Sequence, residues 1–329
     1  MIHSSSISST NDDPRVRLKS TFLVRRYVFE TADEILRRRG MIAYDRHALS
    51  WEWEGFRPAL VTFDQKAREV QELTGQFRPG ERIDLTVSDA RRCVGSFVGG
   101  EYEPCKMRNV VSGQFDQCPL CASTWIPVQN CVFEPECDGT NITNERCANG
   151  GGEICAKPTH VYAAFYGDLV KVGMTLSTRF MERAIEQGAD AIARLGTYPN
   201  RRAARDAENM LSRALHATQW VRKTTFLKAQ NAVRDRGTYQ ERLDVLLSSL
   251  NGTAVDPGPV EMLDHYPLSP FEISDTAFAE VAGRHRGEVL GCKGKWLFYR
   301  LRDQRVMMLD MSSVPSRYVT FGLANINKP

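Results

Sequence analysis

The sequence contains no apolar run near the ~18 to 20 residues that cross a bilayer. Its opening, MIHSSSISSTNDDPR, is serine-rich and polar and lacks the apolar stretch of a secretory signal, so no membrane association is expected and the cytoplasm is the expected compartment. Charge of one sign is missing too: 43 basic residues nearly balance 40 acidic ones, and a net +3 makes no whole-chain case for nucleic acid. The composition fits neither collagen, coiled coil nor wholesale disorder. With 42% hydrophobic and 25% charged side chains, 329 residues describe an ordinary globular chain too long for one core.

What is present in excess is clustered cysteine. Cys93, Cys105, Cys118, Cys121, Cys131, Cys137, Cys147 and Cys155 crowd one segment, and only Cys292 lies outside it. In a reducing compartment grouped thiols bind metal more often than they form disulfides. Eight ligands make two tetrahedral sites, so two structural Zn²⁺ ions are expected. The sharpest signal is Gln117-Cys-Pro-Leu-Cys121, whose two thiolates can reach one ion; Cys93 and Cys105 are its natural partners, leaving Cys131, Cys137, Cys147 and Cys155 for a second site. His160 either replaces one cysteine or simply begins the next strand. The stretch shows little hydrophobic periodicity, and metal binding coupled to folding can replace the core it lacks. Eight acidic against three basic residues make it repel phosphate, which favours a structural staple over a nucleic-acid grip.

The patterning divides the chain into a disordered tail (1–14), an N-terminal α+β segment (15–92), the cysteine-rich zinc module (93–157), an α/β unit (158–250), a proline-rich linker (251–275) and a small β domain (276–329). The overall class is α+β. In the first segment VRLKSTFLVRRYVF and ALSWEWEG read as strands, TADEILRRRG as a short helix, and DQKAREVQELTGQF as a helix carrying Ala67, Val70 and Leu73. In the α/β unit VYAAFY and LVKVGM flank Gly167-Asp168 as a β-hairpin. LSTRFMERAIEQGADAIARLG then reads as a helix with a possible break at Gly188. NRRAARDAENMLSRALHATQW follows as a second helix, with Ala204, Ala207, Leu211 and Leu215 along one face. The C-terminal runs, including GEVLGCKGKW, predict a small β-barrel or meander in which Cys292 is a buried or incidental thiol.

Charge is uneven. Residues 156–236 carry fourteen basic and seven acidic side chains, a local excess that is the footprint of a phosphate-binding surface or of a solvated helix face. Arg179, Arg183, Arg201, Arg202 and Arg205 are the candidate phosphate ligands. Glu208 falls on or beside the apolar stripe of its helix, where a carboxylate needs a partner: an arginine such as Arg183, or a divalent cation.

These residues resemble the GIY-YIG nuclease core: a hairpin with Tyr162 in HVY and Gly173 in KVG, then Arg183, then Glu208 on a later helix. The resemblance implies that Tyr162 activates water, Arg183 steadies the scissile phosphate and Glu208 holds Mg²⁺ or Mn²⁺. A broader resemblance runs from QCPLC through His160-Val-Tyr, Lys171-Val-Gly-Met-Thr, Arg183, Glu186-Gln-Gly-Ala and Glu208, to a domain-of-unknown-function family, twenty-seven ninety-seven. That family joins zinc-binding-like cysteines to a GIY-YIG-like unit. The pattern departs at HVY, and Lys171 stands where the nuclease has tyrosine. Lysine can orient water or phosphate, so two functions stay open: a metal-dependent phosphodiesterase acting on DNA or RNA, with Tyr162, Lys171, Arg183 and Glu208 as catalytic residues, or a non-catalytic nucleic-acid-binding module with a degenerate core.

Overall fold

In the computed structural model, the described residues are 44–98, 101–122, 128–142, 145–148, 152–250 and 255–322. The strand and helix expected at 16–29 and 31–40 lie outside them. Strands β1 (Arg46–Glu54), β2 (Arg57–Asp64), β3 (Glu69–Leu73) and β4 (Arg82–Arg91) come first, followed by the short hairpin β5 (Ser96–Val98) and β6 (Glu101–Glu103). After the cysteine loops come β7 (Thr159–Tyr166), β8 (Leu169–Leu176), β9 (Ala191–Tyr198) and β10 (Glu261–Met262). The chain then supplies β11 (Thr276–Phe278), β12 (Gly283–Lys293), β13 (Trp296–Arg300), β14 (Val306–Asp310) and β15 (Arg317–Phe321). The helices are α1 (Glu145–Ala148), α2 (Phe180–Gln187), α3 (Arg201–Ala214), α4 (Lys223–Ala229) and α5 (Arg236–Ser248). The α+β class expected from the sequence is present, and no helix among the described residues is long and apolar enough to cross a membrane.

Nine strands form one sheet in the order β11-β14-β13-β12-β4-β15-β1-β2-β3. The antiparallel run β12-β13-β14 is a meander, but the sheet stays open instead of closing into a barrel, because β4 and β15 pair beyond β12. Strands from both ends of the chain therefore alternate within one layer. Cys292 is fully buried in it.

The second sheet, β10-β9-β7-β8, has the expected hairpin at one edge, turning at Gly167-Asp168. Its two faces serve two cores. Val161, Ala163 and Phe165 pack against the Ala204, Ala207, Leu211 and Leu215 stripe of α3, where each large side chain stabilises by about 1.5 to 3 kcal/mol. Tyr162, Ala164 and Tyr166 face α2, α4 and the large sheet.

Two helix expectations are corrected. Residues 64–77 form the end of β2, a turn, β3 and a 3₁₀ turn, since pairing with β2 satisfies the backbone of β3 and Asp64 closes the β2–β3 turn by accepting from the N–H groups of Lys66 and Ala67 at 2.8 and 3.0 Å. The helix expected through residue 196 stops at Gly188, whose φ of +74° is left-handed, and the remainder becomes β9. Ala191-Ile-Ala-Arg-Leu-Gly is buried on both faces between β7 and β10, and a doubly covered strand loses the alternation that marks strands in a sequence.

The two sheets meet at the β12–β13 turn. The backbones of Gly188 and Gly294 lie so close that no Cβ fits at Gly294, whose own φ is +58°. Trp51 and Trp53 both donate their indole N–H to the Gly294 carbonyl, at 3.0 and 2.9 Å. Beside it Lys293 forms a buried ion pair with Asp190, whose other oxygen accepts from Gly167 N–H (2.6 Å) and the Tyr239 hydroxyl (3.2 Å). Removing one partner leaves an uncompensated charge. Lys293→Met is expected to lower unfolding free energy by about 3 to 5 kcal/mol in chemical denaturation, with much of the loss restored by adding Asp190→Asn.

Candidate functional site

The first cysteine quartet follows β4. The sulfurs of Cys93, Cys105, Cys118 and Cys121 all lie within 4.8 Å of one another, and among the described residues only this group closes so tightly. Tetrahedral thiolates at about 2.3 Å from Zn²⁺ have comparable separations. The CPLC knuckle brings its two thiols to one side by turning on Cys118, whose carbonyl accepts from Cys121 N–H at 3.0 Å and Ala122 N–H at 2.9 Å. Cys93 Sγ accepts from the N–H of Cys118 at 3.2 Å. Burial opposes ionisation of Cys118, but hydrogen bonds from Asn109 and the Cys121 backbone overcome it and bring this thiol down to about 6. Burial pushes Cys93 and Cys121 the other way, and a bound cation would relieve that strain. Four converging thiols can hold a metal such as zinc.

Cys131, Cys147 and Cys155 are buried and Cys137 half-buried. Burial and then the other sulfurs of this group raise the Cys131 and Cys147 thiols, so all four share one electrostatic neighbourhood. The backbone of Gly139, two residues past Cys137, lies against that of Cys155. His160 stands apart in β7: its Nδ1 pairs with Thr197 Oγ1 at 2.9 Å and its ring meets Phe180 edge-on at 5.6 Å.

The arginines of α3 face this second loop. Arg201 N–H reaches the Cys155 carbonyl at 2.9 Å, and its guanidinium reaches Val132 O at 2.7 Å and Cys155 Sγ at 3.5 Å. Arg202 donates to Pro135 O at 3.1 Å and to Asp206 at 3.3 Å. Arg205 pairs with Glu134 and, at 2.7 Å, with Glu208 Oε2. The three side chains expected at a phosphate instead clamp the acidic cysteine loop onto α3. Arg179 pairs with Glu182 and Glu186, and Arg183 with Glu186 at 3.1 Å.

Tyr162 and Lys171 meet at one side chain, and the charges of Arg183 and Glu208 are felt by both. Tyr162 and Lys171 project from one face of the hairpin, Tyr162 opposite Gly173 and Lys171 opposite Ala164. A Cβ at Gly173 would lie 2.6 Å from the Tyr162 hydroxyl, so the glycine of KVG is what lets the ring cross β8. Both polar groups donate to Gln187 Oε1, Tyr162 at 3.2 Å and Lys171 at 2.8 Å. Gln187 ends α2; it stands in the Glu186-Gln-Gly-Ala stretch, just before the Gly188 helix stop, but sequence reasoning gave it no role at the site. Burial first, then opposition from Arg183 and support from Glu208, sets Lys171 at about 8. Burial raises Tyr162 and Glu208, Arg183 opposing the former and Arg205 and Lys171 the latter. Glu208 Oε2 is taken by Arg205, while its other oxygen has no hydrogen bond among the described residues. Lys171 is thus the member of the cluster able to exchange a proton near neutral pH.

Fold and site together define an α+β protein with four cysteines placed so that they can hold a metal, and with a polar group of Tyr162 and Lys171 of the β7–β8 hairpin joined by Gln187 of α2. The family described as "Protein of unknown function (DUF2797)" matches residues 80–314, and the chain belongs to it. No curated protein and no solved structure matches the chain.

With a folded pKa near 8 against 10.5, Lys171 binds fewer protons folded than unfolded between those values, so its contribution to stability rises with pH across that window. Its acylation by an amine-reactive reagent, followed by peptide mass spectrometry, is expected to reach half-maximal rate near pH 8. In Arg183→Gln that midpoint should move upward.

Proposed function

We propose that the chain is a metal-dependent phosphodiesterase acting on nucleic acid, with structural zinc in both cysteine quartets. The observation that carries this reading is the meeting of Tyr162 and Lys171 at Gln187, with Arg183 and Glu208 within electrostatic reach of both. Phosphodiester hydrolysis needs an oriented water, a proton acceptor and positive charge at the phosphate. Lys171, neutral in part near pH 8, accepts the proton of the attacking water. Tyr162 stays protonated because burial raises it, and it orients that water with Gln187. Arg183, 44% exposed at its side chain, holds the phosphate after exchanging Glu186 for it. The free oxygen of Glu208 suits a hard cation, and Mg²⁺ or Mn²⁺ there would supply polarisation of the phosphate.

A second reading, a non-catalytic nucleic-acid-binding module, is favoured by one observation: the cluster is already satisfied internally. Gln187 takes both protons, and Arg205 neutralises Glu208.

Glu208→Gln separates them. Its folded state keeps Arg205 paired with Glu134, so thermal stability without Mg²⁺ should change little. Mg²⁺-dependent cleavage of labelled single-stranded, duplex and branched substrates should fall roughly a hundredfold or more. Absence of cleavage by the parent on every substrate, with binding intact, would leave the binding module as the function. The zinc assignment has its own measurement: purified under reducing conditions without chelator, the chain should carry close to two zinc ions, and Cys118→Ser and Cys131→Ser should each lose one.

A further inference from the structure

A cavity of about 590 Å³ opens between the two cysteine loops and the β7–β8 hairpin, within the range of about 300 to 1,000 Å³ typical of small-ligand sites. Each cysteine loop contributes one phenylalanine to its wall: Phe115, three residues before Cys118, and Phe133, two after Cys131. Their ring centroids are 5.8 Å apart at 57°, and both are only half-buried. Met174 of β8 adds an apolar floor. Arg179 and Arg183 line the same cavity. Arg183 belongs to both places, because its guanidinium also lies in the field of Tyr162.

We infer that this cavity receives one unstacked nucleotide of a single strand, its base against Phe115 and Phe133 and its phosphate toward Arg179 and Arg183. This rests on the phosphodiesterase reading above and adds its substrate class. Each part of the wall matches one part of the ligand. Aromatic faces stack any base without reading its sequence, and guanidinium groups meet phosphate as paired donors. A paired base stacked inside a duplex offers no exposed face to an aromatic wall, so the strand must be single or the nucleotide extruded. The cysteine loops then have a reason to sit beside the hairpin: metal binding fixes the positions of the two rings. Glu186, which pairs with both arginines, holds the phosphate end of the cavity until an anion replaces it.

The test uses the full zinc-replete chain without added Mg²⁺ and measures fluorescence anisotropy of a labelled thymidine strand of about ten nucleotides and of a blunt duplex of equal length. The single strand should bind roughly tenfold or more tightly than the duplex, and Phe115→Ala and Phe133→Ala should each weaken it by roughly tenfold. Equal affinity for both forms, or unchanged binding in both variants, overturns the inference. Because each phenylalanine neighbours a cysteine ligand, a second measurement uses the unaltered chain: a strand carrying 5-iodouracil is irradiated and the crosslinked peptides are sequenced. Crosslinks at Phe115 or Phe133 support the site, and crosslinks confined to other segments overturn it. Single-strand binding through these residues without cleavage under any divalent ion would keep this inference and remove hydrolysis. Duplex cleavage undiminished in both variants would keep hydrolysis and remove this inference.

Discussion

The buried pair of Lys293 and Asp190 is the constraint on which the rest of the structure depends. Two charges taken out of water are tolerated only when their remaining hydrogen-bonding capacity is met, and here it is met by groups from three separate segments. Asp190 fixes the hairpin turn through Gly167 and α5 through Tyr239, while Lys293 also donates to Gln230 at 2.9 Å. The same turn brings Gly294 onto Gly188, the residue that ends α2 one position after Gln187. The position of Gln187, and with it the geometry of Tyr162 and Lys171, therefore follows from how the two sheets are joined.

Charge in this protein is organised internally. The acidic excess of the cysteine segment and the basic excess of α3 are counterparts, joined through Arg205 and Glu134 and through arginine contacts to loop carbonyls. The helix and the loop thus meet each other's charge, while Arg202 and Arg205 also pair with Asp206 and Glu208 within α3. Beside an aromatic wall, Arg179 and Arg183 form a smaller basic pair held by Glu182 and Glu186.

Much of this was legible in the residues. The first quartet was readable because CxxC spacing makes a geometric demand that few other contexts make, and Cys93 and Cys105 are the two cluster thiols that precede it in the chain. Two short apolar runs about Gly167-Asp168 exposed the hairpin, and the 3.6 period exposed the α3 stripe, because that helix has one covered face. β9 was illegible for the opposite reason, being covered on both faces, and β3 because spacing by three in five residues does not distinguish helix from edge strand. The partner of Glu208 was expected to be an arginine such as Arg183 and is Arg205, one helical turn away, a choice that depends on the loop carrying Glu134. Gln187 carries no charge and no metal affinity, so nothing in its chemistry singled it out before its contacts were visible.

The order of strands in the large sheet has a temporal meaning. β4 lies between β12 and β15, with Val87 aligned both to Gly283 and to Val319, and β1 pairs with β15 through Arg46 and Val319. During synthesis β1 and β4 emerge long before β12 and β15, and the ladder edges those strands complete wait unpaired while the cysteine loops and the hairpin unit are made. Closing such distant pairings is slow, since loop entropy must be overcome before any contact rewards it. The middle of the chain can form its own core in that interval, so the large sheet is assembled last, around a finished centre.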